Sequence, residues 1–177
     1  MKTTIKTILT LTLVMGLGIM ANAQKAATAP ASATVLTDLT IELDGTQDEI
    51  AFGALSANSI TDVVLDANGT ANANTGTVTN VAKFNLAGAN NEVTVTYDAT
   101  VTLTETVSGT ATMVMTPEVV GDAEAINQAT AAAVASLSTV TLVSGEYFLW
   151  VGGTIPALTN QATGTYTGTF NIDVEYN

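Results

Sequence analysis

The sequence predicts an all-β, antiparallel sandwich. Three observations support this fold class: short segments alternate apolar and polar residues, turn dipeptides such as Asn68-Gly69 separate them, and threonine is frequent within them. Threonine favours extended backbone because its Cβ is branched. The length of 177 residues suits one domain, and an aromatic content of 5% predicts a core of aliphatic and small side chains.

The first residues predict export from a bacterial cell. Lys2 and Lys6 precede an apolar stretch at residues 8–20, and Ala21-Asn22-Ala23 then matches a signal-peptidase site. The apolar stretch is shorter than the roughly 20 residues that cross a bilayer. We therefore predict a signal peptide at residues 1–23, no membrane span after its removal, and a final location in the periplasm, at the cell surface or outside the cell.

The exported part is predicted to consist of a short leader followed by one long domain. Residues 24–33 lack large apolar side chains and predict a flexible leader. Residues 34–177 contain no linker and predict a single sandwich domain. The chain has no cysteine, so neither a disulfide nor a thioether-linked lipid anchor is expected, and stability must come from packing and backbone hydrogen bonds.

The first strand of the domain is predicted at residues 34–43. Val35, Thr37, Leu39, Ile41 and Leu43 share one face there, as the two-residue period of a half-buried strand requires. The same reasoning predicts further extended segments at residues 50–53, 61–66, 81–86, 92–97, 100–106, 110–115, 137–143, 145–155 and 165–176.

One stretch, residues 122–137, allows two interpretations. Its run of alanine, with Glu124 and Gln128, favours a short helix by intrinsic propensity. A long loop between two strands is the alternative.

The composition excludes several classes of function. The chain has no histidine, cysteine or arginine, so no Ser-His-Asp or Cys-His nucleophile and no zinc-thiolate site is available. The sequence has four lysines and sixteen acidic residues, so its net charge is −12. Loss of Lys2 and Lys6 with the signal peptide would change it to −14. Because phosphate repels such a surface, no nucleic acid partner is expected, and we predict a protein that is not an enzyme.

Two groups of acidic residues are candidates for a calcium site. The first comprises Asp44, Asp48 and Glu49, and the second comprises Asp62, Asp66 and Asn68. Neither fits a calcium loop, because an EF-hand register counted back from Gly69 places Val64 at the first ligand position. We predict no metal and no other cofactor. Asn68-Gly69-Thr70 is formally a glycosylation acceptor, but a hairpin turn explains it better.

The aromatic residues near position 150 are the candidates for sugar binding. Alternation places Tyr147 and Leu149 on one face of a strand and Phe148 and Trp150 on the other. One pair is expected in the core. The other is expected either in a core or interface or as a stacking platform for sugar.

The C-terminal segment has the most regular pattern in the chain. Residues 164–177 alternate throughout, and one face is interrupted only by Gly168. That face consists of Tyr166, Phe170, Ile172, Val174 and Tyr176. A strand that ends a chain with such a face must pair within its own sheet or with a partner.

These residues resemble two known groups of proteins. Chaperone–usher pilus subunits end in an alternating strand with a penultimate tyrosine and a glycine fourteen positions from the end, which Tyr176 and Gly164 match. The wider pattern is similar to the secreted bacterial family called domain of unknown function 4402. The matching segments are residues 50–53, 64–70 with 76–78, 84–88, and 151–155 followed by the terminal strand. The resemblance implies an immunoglobulin-like β-sandwich related to pilins and no established activity.

Two features depart from the pilus pattern. Residues 24–33 lack the alternating donor segment of pilus subunits, so either residues 34–43 are the donor or they complete their own fold. The disulfide of many pilins is absent, as are the lipidated cysteine and the arginine cleavage site of lipoprotein-type pilins.

We therefore expect a non-catalytic structural or adhesive surface protein that acts through β-strand pairing. Its partners would be a periplasmic chaperone or identical subunits, bound by strand addition at Gly164, Tyr166, Phe170, Ile172, Val174 and Tyr176. The alternative is a self-contained secreted binding module for glycan or calcium.

Overall fold

The structure is a computed structural model that describes residues 27–177. The predicted signal peptide and residues 24–26 of the leader lie outside the described residues. Residues Val35–Asn177 form one compact unit. In the described part of the chain, no helix is both long enough and apolar enough to cross a membrane.

Residues 27–177 form eleven strands and one short 3-10 turn. The strands are β1 (Thr40–Leu43), β2 (Val63–Leu65), β3 (Ala82–Ala87), β4 (Glu92–Tyr97), β5 (Val101–Glu105), β6 (Thr112–Asp122), β7 (Ala132–Ala133), β8 (Ser138–Thr141), β9 (Glu146–Ile155), β10 (Tyr166–Thr167) and β11 (Ile172–Tyr176). Every pair of these strands is antiparallel. The predicted all-β antiparallel sandwich is confirmed.

The strands form a larger and a smaller sheet. The larger sheet has the order β1-β3-β9-β6-β5-β10, with β2 also paired to β9 and β7 to β6. The smaller sheet has the order β11-β4-β8. The end of the chain changes sheets, because β10 pairs with β5 and β11 pairs with β4. The C-terminal segment thus forms an edge strand of the larger sheet as β10 and an edge strand of the smaller sheet as β11.

Strand β9 is buried on both faces. Successive side chains of a strand point to opposite faces. Leu149 and Val151 therefore pack in the cluster that contains Val93 and Val95 of β4. Trp150 points the other way and packs in the second cluster, which includes Phe52, Val63, Leu65, Val120 and Ala131. Both clusters consist mainly of valine, leucine and alanine, as the low aromatic content predicted.

The ambiguous stretch at residues 122–137 is largely a loop. It contains one 3-10 turn, Gln128–Thr130, and the short strand β7. The side chain of Gln128 donates to the carbonyl of Ala67, and the side chain of Asn68 donates to the carbonyls of Gln128 and Ala131. These tertiary hydrogen bonds hold the stretch in an irregular path despite the helix propensity of its alanines.

The first strand belongs to its own sheet. Residues 40–43 pair with residues 84–87 of β3. The strand predicted at residues 34–43 forms only over residues 40–43, and residues 34–39 lie outside any strand. The apolar side chains of this segment are poorly buried: Leu43 is 47% exposed, and Val35, before the strand, is 94% exposed.

Candidate functional site

The terminal strand β11 has one open edge. Its hydrogen bonds to β4 and the adjoining residues extend from Asn171, whose carbonyl accepts from the N–H of Asp98, to Asn177, whose N–H donates to the carbonyl of Glu92. In an antiparallel pair, alternate residues direct their backbone groups toward the partner. The backbone groups of Ile172, Val174 and Tyr176 therefore point away from β4. Within residues 27–177, β11 pairs with no other strand.

The edge of the larger sheet lies beside β11 and is also open. The N–H of Asp44, just after β1, donates to the carbonyl of Lys83 at 2.8 Å. By the same alternation, Ile41 and Leu43 direct their backbone groups away from β3. Two edge strands thus face each other along the seam of the sandwich.

The seam is closed at one end and open at the other. At the closed end, the hydroxyl of Tyr176 donates to the carbonyl of Thr37 at 2.9 Å. At the open end there is a cleft of about 410 Å³ whose lining includes Ile41, Leu43 and Ile172. Beyond it lies a larger cleft of about 820 Å³ between residues 48–57 and 161–170.

The two clefts form one groove along the terminal strand. Leu43, Phe84 and Phe170 line both of them. The larger cleft is floored by the apolar side chains of β5 and β6, including Leu103 and Met113. We call the two clefts together the terminal groove. It combines an open backbone edge with an apolar floor.

The structure brings four of the six predicted partner residues to this groove. Gly164, Tyr166 and Phe170 line the larger cleft, and Phe170 and Ile172 line the smaller one. Val174 and Tyr176 are absent from the groove lining and pack against the cluster between the sheets. The first four residues of the predicted set therefore line the groove, and the last two pack against the sandwich core.

Several of these residues also have contacts inside the chain. The ring of Phe170 lies 6.3 Å from that of Phe84 and 5.9 Å from that of Tyr97. The hydroxyl of Tyr166 donates to the carbonyl of Ala162 at 2.7 Å. A Cβ at Gly164 would lie 2.7 Å from the side chain of Glu105, so this position requires glycine. These contacts hold the groove wall in place.

Tyr176 joins three parts of the chain. Its hydroxyl accepts from the N–H of Ala89 at 2.5 Å, in addition to the hydrogen bond that it donates to Thr37. A Cβ at Gly88 would lie 2.2 Å from this hydroxyl oxygen, so the ring can seat only against glycine. Gly88 comes directly after β3, and nothing local to it in the sequence pointed to Tyr176.

The first group of calcium candidates does not form a shared site. Asp44 forms an ion pair with Lys83 at 3.6 Å. Hydrogen bonds from the hydroxyl and N–H of Thr46, and from the N–H of Gln47, hold the pKa of Asp44 well below its usual range. Asp48 and Glu49 are exposed and line the larger cleft of the terminal groove.

The second group of calcium candidates closes a turn. The carboxylate of Asp66 accepts from the N–H groups of Asn68, Thr70 and Ala71 and from the Thr70 hydroxyl. The Asn68 side-chain nitrogen donates to the loop at residues 128–131. Among residues 27–177, no three acidic, histidine or cysteine side chains gather to hold a metal ion.

The Asp66 turn predicts a pH dependence of stability. Burial raises the pKa of Asp66, but the hydrogen bonds from Thr70, Ala71 and Asn68 outweigh this effect and lower the pKa overall. A lowered pKa in the folded state adds stability above the unfolded value of about 3.9, and this stability is lost as the pH falls through the folded pKa.

We expect Asp66→Asn to cost about 1–2 kcal/mol at pH 7, because the hydrogen bonds that converge on the buried Asp66 lose a charged acceptor. The difference from wild type should shrink below about pH 4. Urea unfolding at pH 7 and pH 3 measures this. Asp173→Asn is the matched control, since Asp173 is exposed. A difference that stays constant between the two pH values would contradict the assigned role.

Trp150 offers no surface for sugar stacking. Its side chain is 1% exposed. Phe148, on the same face of β9, lies under the ammonium group of Lys83, which is 5.0 Å from the ring centroid. Both residues of this pair therefore have partners within the fold.

Together, the fold and its groove define an antiparallel β-sandwich with an open seam beside its terminal strand. Residues 39–176 match the family described as "Domain of unknown function (DUF4402)", and the chain belongs to this family. The resemblance to this family found in the sequence is thereby confirmed, and the resemblance of the terminal strand to pilus subunits stays a prediction. The matched residues include both edge strands of the seam. No curated protein matches the chain.

Proposed function

We propose that this chain is an exported, non-catalytic structural or adhesive protein of the bacterial cell surface that works through β-strand pairing. The observation that carries the proposal is the open edge of β11 beside the apolar terminal groove. Export to the periplasm, the cell surface or the medium is supported by the signal-peptide pattern of residues 1–23.

An open edge of this kind binds an extended peptide through two sets of contacts, one to its backbone and one to its side chains. At the open part of the seam, a guest strand would pair with the outward backbone groups of Ile172 and Val174, which lack partners within the described residues. Its alternate side chains would enter the groove over Phe84, Phe170 and neighbouring residues. Each large apolar side chain that becomes fully buried contributes roughly 1.5–3 kcal/mol. A periplasmic chaperone or another subunit could supply such a strand.

Ile172→Pro tests the proposal. Proline removes the N–H of Ile172, which points away from β4, and leaves the pairing of β11 with β4 intact. We expect at least a tenfold loss of cross-linked partner recovered from exporting cells, because a proline at an edge obstructs strand addition. Ile172→Ala is the control, since it shortens the side chain but keeps the N–H.

Urea unfolding of both variants shows whether the fold is preserved. We expect the free energies of unfolding of the two variants to agree within about 1 kcal/mol. Equal recovery of partner with both variants would refute pairing at β11.

The alternative of a secreted module for glycan or calcium has weaker support. Trp150 is buried, and Asp44 and Asp66 are engaged in the ion pair and the turn described above. This alternative remains a prediction that calorimetric titration with calcium or with glycans would test.

A further inference from the structure

We infer that the strand accepted by the terminal groove comes from a different protein and alternates apolar residues with lysine or arginine. This inference rests on the proposed function and specifies the chemistry of its partner.

The geometry determines which side chains meet. A strand added to β11 places its side chains directly opposite those of β11, alternately on the two faces. On the inner face its neighbours are the half-buried Ile172 and Val174. On the outer face its neighbours are Asp173 and Glu175, which are exposed. Apolar residues therefore suit the inner positions of the guest strand. Lysine or arginine suits its outer positions, opposite Asp173 and Glu175.

Acidic side chains also lie on β1, across the seam, and in the larger cleft. Glu42 of β1 is exposed on the opposite edge, and Asp48 and Glu49 line the larger cleft. Within the described residues the single ion pair joins Lys83 and Asp44, so these acidic side chains have no cationic neighbour.

The described residues do not supply the missing cations. Residues 27–177 contain one basic residue, Lys83, which is paired with Asp44, and all sixteen acidic residues of the sequence. The positive charge that matches the groove is therefore assigned to another molecule. Opposite charges directly across a strand pair stabilise it, and like charges destabilise it.

A second copy of the chain fits the groove poorly for this reason. Its segment of residues 34–43 alternates correctly, but Asp38 and Glu42 would occupy the outer positions, next to Asp173 and Glu175. Pairing of two β11 edges around a two-fold axis at Val174 would set Asp173 of one copy opposite Glu175 of the other. Both arrangements place carboxylates next to carboxylates, which is unfavourable.

Peptide binding tests the inference. Four fluorescent ten-residue peptides are titrated with the purified chain and followed by anisotropy. Three alternate valine with lysine, threonine or glutamate, and the fourth has the sequence of residues 34–43. We expect the lysine peptide to bind about tenfold more tightly than the threonine peptide, and the other two to bind more weakly still. Raising the salt concentration from 0.05 to about 0.5 M should reduce the advantage of lysine.

Two controls separate strand addition from general attraction to an acidic protein. A lysine peptide with N-methyl groups on its valine nitrogens keeps its charge but cannot donate to β11 while its valines face inward, and it should bind at least tenfold more weakly. The double variant Asp173→Asn, Glu175→Gln should abolish most of the preference for lysine. Glu124→Gln with Glu146→Gln removes the same charge from exposed residues that do not line the groove, and should preserve the preference.

The possible outcomes are distinct. Equal binding of the lysine and threonine peptides would overturn the inference and leave strand pairing intact. Tightest binding of residues 34–43 would identify a second copy as the partner and would also overturn it. Failure of every peptide would remove the support for the proposed function as well, as would undiminished binding of the N-methylated peptide.

Discussion

Replacing Trp150 with alanine should destabilise the protein by about 3–5 kcal/mol, the usual cost of removing a large buried aromatic side chain. Trp150 is 1% exposed and packs in a cluster with Phe52, Leu65 and Val120. This cluster lies on the opposite face of β9 from the core between the sheets. The variant would leave a large cavity in this cluster.

Urea unfolding followed by circular dichroism measures this cost without relying on tryptophan fluorescence. Trp150→Phe is the matched control, and it should cost distinctly less because most of the ring volume is kept. A cost below about 1 kcal/mol for Trp150→Ala would show that the side chain is exposed in solution, and the sugar-stacking interpretation would then regain its basis.

Much of the fold could be predicted because alternation is a local property. Residues 92–97 were predicted as a strand and form β4, and the segments predicted at 81–86 and 145–155 correspond to β3 and β9 within one residue. In each, the two-residue period of apolar side chains results from burial of one face. Both faces of β9 are buried instead, and its regular run of large residues fits that environment equally well.

Other elements were longer or shorter than predicted, for physical reasons. The segment at 110–115 continues as β6 to Asp122, through Pro117. Proline usually ends a paired strand because it lacks an N–H, so the pattern before it suggested an earlier end. The segment at 50–53 contains only an isolated bridge between Ala51 and Asn80. Its one buried side chain, Phe52, packs in the cluster that contains Trp150 without belonging to a paired strand, so no two-residue period marks it.

The terminal groove could be predicted only in part. Alternation identified the face that contains Phe170, Ile172 and Val174, but it does not say which edge of a strand is paired. That depends on the sheet order, which makes β1 an edge strand of the larger sheet and β11 an edge strand of the smaller one. The two edges come into contact although their strands lie at opposite ends of the domain. The acidic outer face was visible in the sequence at Asp173 and Glu175, but its position on an open edge was not.

Tyr176 differs most from what its sequence position suggests. A penultimate tyrosine on a terminal strand indicated a role in docking a partner. In the structure, its hydroxyl bridges Ala89 and Thr37, and its ring lies against Gly88. These contacts give Tyr176 a structural role within the chain, and a role in partner binding stays a prediction.

We expect Tyr176→Ala to cost about 2–3 kcal/mol, less than a fully buried aromatic because the ring is only partly buried. Tyr176→Phe should cost about 1 kcal/mol, since it removes both hydrogen bonds and keeps the ring. Urea unfolding gives both values. If Tyr176→Ala instead leaves stability unchanged and abolishes recovery of cross-linked partner, the tyrosine serves the partner and not the fold.

Gly88 allows the two roles to be separated. Gly88→Ala should destabilise the wild-type chain, because its Cβ would lie 2.2 Å from the Tyr176 hydroxyl oxygen. In the Tyr176→Ala background this obstacle is gone, so the same substitution should cost much less, leaving only the nearby Leu39 side chain to adjust. The coupling free energy from this double-mutant cycle should therefore be at least about 1 kcal/mol. Additive costs would mean that the ring does not seat against Gly88 in solution, and Tyr176 would then be free to meet a strand from outside.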